Sequence, residues 1–566
     1  MSTTNLTFVS AHILAVALGT PLMYLVLIIS KSLLLRQIVP SAFRHIPGPP
    51  SQSWVKGNLG QLFNPKGLPF HQRLVDAYGG MVKVYGFFGD EQLYISDPRA
   101  LHNIILKDHD AFEETSVFTE TNKVIFGPGL IAVTGDQHRK QRKIVSPIFA
   151  LPELRRLTPV FYDIGEKLVS VIEREINVNK DSVFDMSEWV GRTALESVGR
   201  TILGHSFDPL DSPSSNPYTA AVKELIPTIF SLSLVRQFAP FLSKLGSPSF
   251  RRRLVEWTPN QAVQKVKEMS DAMHTAAMGI LKSKKEELGK REENGVDDMA
   301  ESRDVISTLL RANEKAAFGE KLSDDELAGQ ITVLIFGAQD TTSSSLSRML
   351  HLLASHPAIQ AKVREEIRTA MGGEQRRLGF EEIMGLPWLD AVMKETLRLY
   401  PPVPFVRRTA IKERTIPYSK SGSLDDDEIT AVMIPEGTTI FVSIAGSNRL
   451  ESVWGPDAKE WRPERWLNPD GDIKEVVENK VRLPGIYSGM MSFLGGSRSC
   501  VGYRFAQIEM KIILATLLSK FTFAATRDEV VWNLSQIISS SVRTVNNGEV
   551  EEKKGLPLIV QCAPNM

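Results

Sequence analysis

The chain opens on an uninterrupted apolar stretch. Positions 8–29 hold no Asp, Glu, Lys or Arg across 22 residues. As a helix this run extends roughly 33 Å, close to the hydrocarbon thickness of a bilayer. It predicts a membrane anchor and not a cleaved signal peptide, because no basic residue precedes it and no small-x-small cleavage site comes before Lys31. Lys31, Arg36 and Arg44 follow it, so the positive-inside bias places the body in the cytosol and the tip in the lumen. Pro47-Gly48-Pro49-Pro50 then reads as a stiff break. The expected organisation is a luminal tip and transmembrane helix over 1–30, a basic Pro-rich hinge over 31–50, and a cytosolic body over 51–566. No later apolar run approaches 18 residues, so a single pass is expected.

Past the break the pattern changes period. Segments 81–87 and 92–96 flank Gly89-Asp90 and predict a β-hairpin. From about residue 135 the pattern is mostly helical. Ser323 and Glu326 form a capping box, and no proline follows until Pro357. The predicted helix, 324–355, is 32 residues and about 48 Å long, enough to cross a whole domain. Another helix is predicted over 389–399, stopped by Pro401-Pro402, and an apolar helical run over 505–518. Between 282 and 304, fourteen of 23 residues are charged with both signs mixed, which predicts a solvated helix end and loop. Segment 420–428 reads as a surface insertion. The fold class expected is mainly α with small β-sheets.

Charge narrows the function. Lys+Arg and Asp+Glu both number 66, so nothing draws the chain to nucleic acid. There are two cysteines, Cys500 and Cys562, which excludes a disulfide framework and a Cys-rich zinc site. Cys500 stands in Phe493-Leu494-Gly495-Gly496-Ser497-Arg498-Ser499-Cys500-Val501-Gly502, just ahead of the predicted 505–518 helix. A Gly-rich turn at a helix N-terminus favours a thiolate, Gly496 and Gly502 let the backbone approach a flat ligand, and Arg498 offers a fork to a carboxylate.

This stretch resembles the haem-binding signature of the cytochrome P450 family, Phe-x-x-Gly-x-Arg-x-Cys-x-Gly, at all five fixed positions: Phe493, Gly496, Arg498, Cys500 and Gly502. Five matches of roughly one in twenty over about 560 starts give on the order of 10⁻⁴ chance occurrences. The resemblance extends over about residues 47–566. Glu395-Thr396-Leu397-Arg398 matches the family's Glu-x-x-Arg, whose i, i+3 spacing puts both charges on one helix face, and Arg465 in Pro463-Glu464-Arg465-Trp466 completes its structural Glu395–Arg398–Arg465 cluster. Gly337-Ala338-Gln339-Asp340-Thr341-Thr342 resembles the small-Gly-x-acid-Thr-Thr segment, with Ala338 where Gly is usual. There the Thr341 hydroxyl is expected to widen the helix locally. His138 stands where the family has Trp, with Arg142 kept, and Arg408 resembles a further propionate-binding arginine. The neighbouring Arg139, Lys140 and Lys143 form a basic face that suits either solvation or an acidic electron donor.

The resemblance implies haem b with Cys500 as axial thiolate, and His138, Arg142, Arg408 and Arg498 among its contacts. Asp340 and Thr341 are implied as the catalytic proton-delivering pair. It implies a monooxygenase of the microsomal, fungal type, held in the endoplasmic reticulum membrane and fed by an NADPH-dependent cytochrome P450 reductase. The substrate expected is a hydrophobic small molecule, a terpenoid or other secondary metabolite. Segments 112–130, 207–254, 403–406 and 537–541, with Phe336, are the expected pocket walls. Two alternatives stand: a haem-thiolate isomerase or dehydratase working without O₂, and a haem-binding sensor without turnover.

Overall fold

The computed structural model describes Met23 and residues 41–178, 183–207, 209–211, 217–293, 304–317, 319–372, 376–419, 429–468, 482–546 and 549–564. The predicted anchor and the 420–428 insertion therefore lie outside the described residues, apart from Met23. Among the described residues no single helix is long and apolar enough to cross a membrane; one bent pair, Glu224–Ser231 with Val235–Leu242 at 72°, meets the criterion on length and composition.

Helices dominate, and the helix Asp324–Ser355 runs through the middle. Its capping box forms as the sequence predicts: Ser323 Oγ accepts from the Glu326 N–H, and Glu326 accepts from the Ser323 N–H. Eighteen of its residues are buried, so tertiary packing sustains its length. The helices Met186–Val198 and Gln261–Glu293 pack against it. The predicted 389–399 helix is Pro387–Leu399, and the 505–518 run is Tyr503–Lys520.

The hairpin is present as Met81–Tyr85 antiparallel to Glu91–Ile95. It is one edge of a mixed five-stranded sheet that continues through Thr439–Ser443, Phe405–Ala410 and Phe112–Glu114. Those three strands come from distant parts of the chain, so no local hairpin signal announces them.

Two expectations need correcting. The hinge expected over 31–50 does not decouple anything at its C-terminal end. Phe43 and Ile46 are buried in the main core, and the Lys83 N–H bonds to the Pro47 carbonyl at 2.8 Å. A Cβ on Gly48 falls 1.9 Å from the Lys83 carbonyl oxygen, so this stretch lies flat on the hairpin. The charged run is not wholly solvated either. Lys284 is buried against Asp304 at 3.0 Å, and Asp304 caps the helix Val305–Lys315.

Candidate active site

The loop 493–500 folds tightly before its helix. The Cys500 N–H bonds to the Phe493 carbonyl at 2.9 Å, and Phe493 is wedged between Tyr487 and Tyr503. Gly496 has φ +65°, and a Cβ there falls 2.2 Å from the Ile105 carbonyl oxygen. The protein's own packing therefore demands glycine here, whatever ligand the loop approaches. A Cβ on Gly502 meets only Phe149, at an ordinary 3.7 Å.

The Cys500 thiol is deep in the molecule yet accessible to solvent, as a group lining an internal space must be. Burial pushes its pKa up, while the Gly502 N–H and Arg142 pull the other way. Desolvation thus opposes the thiolate that the sequence predicts, without the charge of a bound metal to offset it. The helix begins only at Tyr503, so its dipole acts at a distance and desolvation wins. A metal cation bound to the sulfur reverses that balance.

Arg142 reaches the loop directly, donating to the Ser499 carbonyl (2.6 Å) and Ser499 Oγ (3.1 Å). Arg498 donates to Glu113 (2.6 Å) and to the Val133 carbonyl, and Arg408 to Glu114 (2.7 Å). His138 lies in the same field. Burial first, then Arg498 and Arg142, lower its pKa to about 4, so the ring is neutral at physiological pH. Burial works to raise Glu113, but the Glu114 N–H, Arg498 and the Gly135 N–H hold it below the usual carboxylate range. Nothing in the sequence pattern singles out Glu113 and Glu114, because their role is set by strand pairing with 405–410.

On the central helix, Gly337 is exposed although it sits mid-helix, and a Cβ there meets no atom within 4 Å. An open space therefore faces the helix at this turn. Phe336 stacks on Phe126 at 4.6 Å beside it. Thr341 Oγ donates to the Gly337 carbonyl at 2.7 Å, but the helix continues as regular α through this point. The expected widening is absent because the carbonyl's second lone pair takes the hydroxyl without releasing its backbone bond. Asp340 lines a cavity of about 220 Å³ shared with Ser343, Ser344, Ile537 and Ser539, and rimmed by the exposed Glu188 and Glu224.

With this geometry in place, comparison with known proteins is decisive. A cytochrome P450 family model matches residues 47–544. The chain belongs to the cytochrome P450 family. It is 40% identical over 529 residues to cytochrome P450 monooxygenase 91 of Postia placenta, covering 93% of this chain and 96% of that protein. It is 35% identical over 507 residues to the ganoderic acid synthetase CYP5150L8 of Ganoderma lucidum, covering 89% and 92%. This P450 is a monooxygenase whose cofactor is haem b with a cysteine thiolate as axial ligand. The residues present fit that group: an uncovered thiol in a tight loop, an open turn on the central helix, and Arg142 donating beside the cysteine.

Beneath the P450 site, Glu395 and Arg398 are fully buried. Arg398 makes two 2.8 Å bonds to the carboxylate and spends its other donors on the carbonyls of Asn448, Ala458 and Glu460. Arg465 Nε reaches Glu395 at 3.3 Å and its NH groups hold Asp457. Sequence reasoning missed the next links. Asn448 Oδ1 accepts from the Met491 N–H, its amide donates to Ser492 Oγ, and Ser492 donates to the Leu397 carbonyl. The Glu-x-x-Arg helix is thereby tied to the start of the cysteine loop.

Glu509 was also missed. It is fully buried on Tyr503–Lys520, and burial raises its pKa to about 8. The Ser197 and Thr342 hydroxyls face it and oppose that rise, yet none of the three makes a well-formed hydrogen bond to protein. The signal available was only its place in an apolar helical run.

Proposed function

We propose that this chain is a membrane-anchored, single-pass P450 of the endoplasmic reticulum. On this reading it oxidises a hydrophobic small molecule of terpenoid or related secondary-metabolite type, with electrons from NADPH through a separate reductase. The observation that carries the site assignment is the contrast between the two cysteines. Cys500 stands in the tight loop ahead of the helix Tyr503–Lys520, where burial acts on its thiol and Arg142 reaches the adjoining Ser499, whereas Cys562 is at the exposed end of the strand Pro557–Cys562, paired with Phe521. Cys500 is accordingly the proximal ligand, in a loop held by Phe493 and Gly496, with Gly502 lending its N–H. His138, Arg142, Arg408 and Arg498 orient the propionates, the neutral His138 ring as a hydrogen-bond donor in place of the family's Trp. When bound, the haem supplies oxygen activation and C–H oxidation. The chain's own contribution is positioning and proton supply. Asp340 would take a proton from solvent through the cavity it lines and pass it on by way of Thr341, whose hydroxyl is held on the open side of the helix. Glu395, Arg398 and Arg465 keep the loop in place.

The anchor rests on the uncharged 8–29 run, and exposed apolar side chains at Trp54, Phe238, Leu242 and Trp257 suit a surface lying on lipid. The substrate class rests on the name of the Ganoderma relative and the aromatic wall Phe126–Phe336. Co-expression with a fungal reductase and feeding of a terpenoid library tests it. NADPH-dependent oxygenated product is expected, and its absence across the library removes the substrate assignment. Cys500→Ala should abolish the long-wavelength carbon-monoxide band while Cys562→Ala keeps it; a band surviving in Cys500→Ala overturns the ligand assignment.

A further inference from the structure

A second cavity, of about 280 Å³, lies between the end of the Glu-x-x-Arg helix and the central helix. Arg348, from the central helix, lines it, with its guanidinium 3.5 Å over Trp532 and 4.3 Å over Tyr400. Stacking covers the faces of a guanidinium and leaves its edge donors to find partners. Among the described residues, Arg348 makes no hydrogen bond and has no carboxylate partner. Burial lowers its pKa to about 9, Tyr400 opposes this and Arg449 adds to it, so it is still charged at neutral pH.

The neighbours do not neutralise it. His71 and His351 are both held near pKa 4 by burial and are uncharged. Tyr94 is raised by burial and stays a phenol. Arg449 adds a second positive charge, already committed to the Leu399 carbonyl and Gln72. Asp76, a carboxylate that acts on Arg449, is paired with Lys459 at 3.0 Å. Two half-buried like charges at one cavity, one of them without a protein counter-ion, favour an anion between them. The rest of the wall is apolar: Leu68, Pro69, Pro401, Pro404, Ala445 and Ile538.

We infer that this cavity binds a small organic carboxylate, its head on the free Arg348 fork and a short apolar tail against the proline wall. A planar carboxylate matches the fork in a way that a spherical halide does not, and the cavity is at the lower limit of ligand pockets, which restricts the tail. No residue of the cysteine loop lines the cavity, although Pro404 and Ile538 belong to the segments expected to wall the substrate pocket. The cavity is linked mechanically to the central helix, since Ile538 bonds through its N–H to the Pro402 carbonyl and through its carbonyl to Ser344 on that helix. An occupant therefore braces the 400–404 and 537–541 segments against each other.

The test is calorimetric titration of the full-chain holoenzyme with sodium hexanoate, acetate and chloride at constant ionic strength. Imidazole is present to occupy the haem's distal face and keep the probe out of the substrate site. Saturable one-to-one hexanoate binding is expected, tighter than acetate by about fourfold per methylene buried, with none for chloride. Arg348→Met should weaken it at least tenfold, and Ala445→Leu, which fills the cavity and leaves the guanidinium alone, should do the same with an unchanged carbon-monoxide spectrum. Absence of saturable heat overturns the inference, as does binding that survives Ala445→Leu.

Discussion

Replacing Glu509 by Gln should stabilise this protein at neutral pH, and by an amount that depends on pH. The native carboxyl has a pKa of about 8 because burial disfavours its charge, against 4.5 for an ordinary glutamate. The native state therefore holds a proton that the unfolded chain releases. With a raised folded pKa, stability is greatest below about pH 4.5 and falls as pH rises toward 8, where the native group also ionises. Each pH unit inside that window costs about 1.4 kcal/mol, so the penalty is about 1 kcal/mol at pH 5 and about 3 kcal/mol at pH 7. Glutamine keeps the shape and removes the proton linkage. For a domain of this size the unfolding entropy is about 1 kcal/mol per degree, so Glu509→Gln should melt about 1 °C higher at pH 5 and about 3 °C higher at pH 7. Paired thermal scans of haem-loaded wild type and variant across pH 5–8, at one scan rate, measure the difference. A gap that stays constant across that range refutes the reasoning, because the proton linkage would then be missing. A lower melting point at pH 7 refutes it too, since it would mean that the native carboxylate is charged and well served.

Three further outcomes are expected. Thr341→Ala and Asp340→Asn should keep the thiolate carbon-monoxide spectrum yet divert NADPH-derived electrons to hydrogen peroxide, since general-acid groups contribute about 10²–10⁴-fold; an unchanged product-to-peroxide ratio in both argues against their assignment. Deleting residues 1–40 should leave a folded haem protein, whereas deleting 1–45 also removes the buried Phe43 and should destabilise by about 3–5 kcal/mol; equal melting points for the two truncations would show that this segment does not belong to the core. Glu395→Ala leaves the Arg398 charge buried without its partner and should cost about 3–5 kcal/mol, read as loss of haem incorporation during expression.

Local signals on the chain determined much of this protein. The Ser323–Glu326 box and the absence of proline before Pro357 bound the central helix correctly, because caps and breakers act within a few residues. The cysteine loop was legible for a similar reason: turn, thiol and arginine are packed into ten consecutive positions. The family and its cofactor followed from that loop. What the tertiary structure decided was everything that depends on burial or on partners far along the chain. The sheet needed Phe405–Ala410 to find Phe112–Glu114, and only then did Glu113 and Glu114 meet Arg498 and Arg408. Pro47–Pro50 looked like a hinge because proline is stiff, but stiffness says nothing of what the segment lies against, and it lies on the hairpin. The place of Cys500 before a helix was legible, but the burial that acts against its charge was not. Glu509 and Arg348 carried no sequence signal, since a charge in a helical pattern reads the same on a surface as in a core. Desolvation is a property of the assembled surroundings, and no window of sequence contains it.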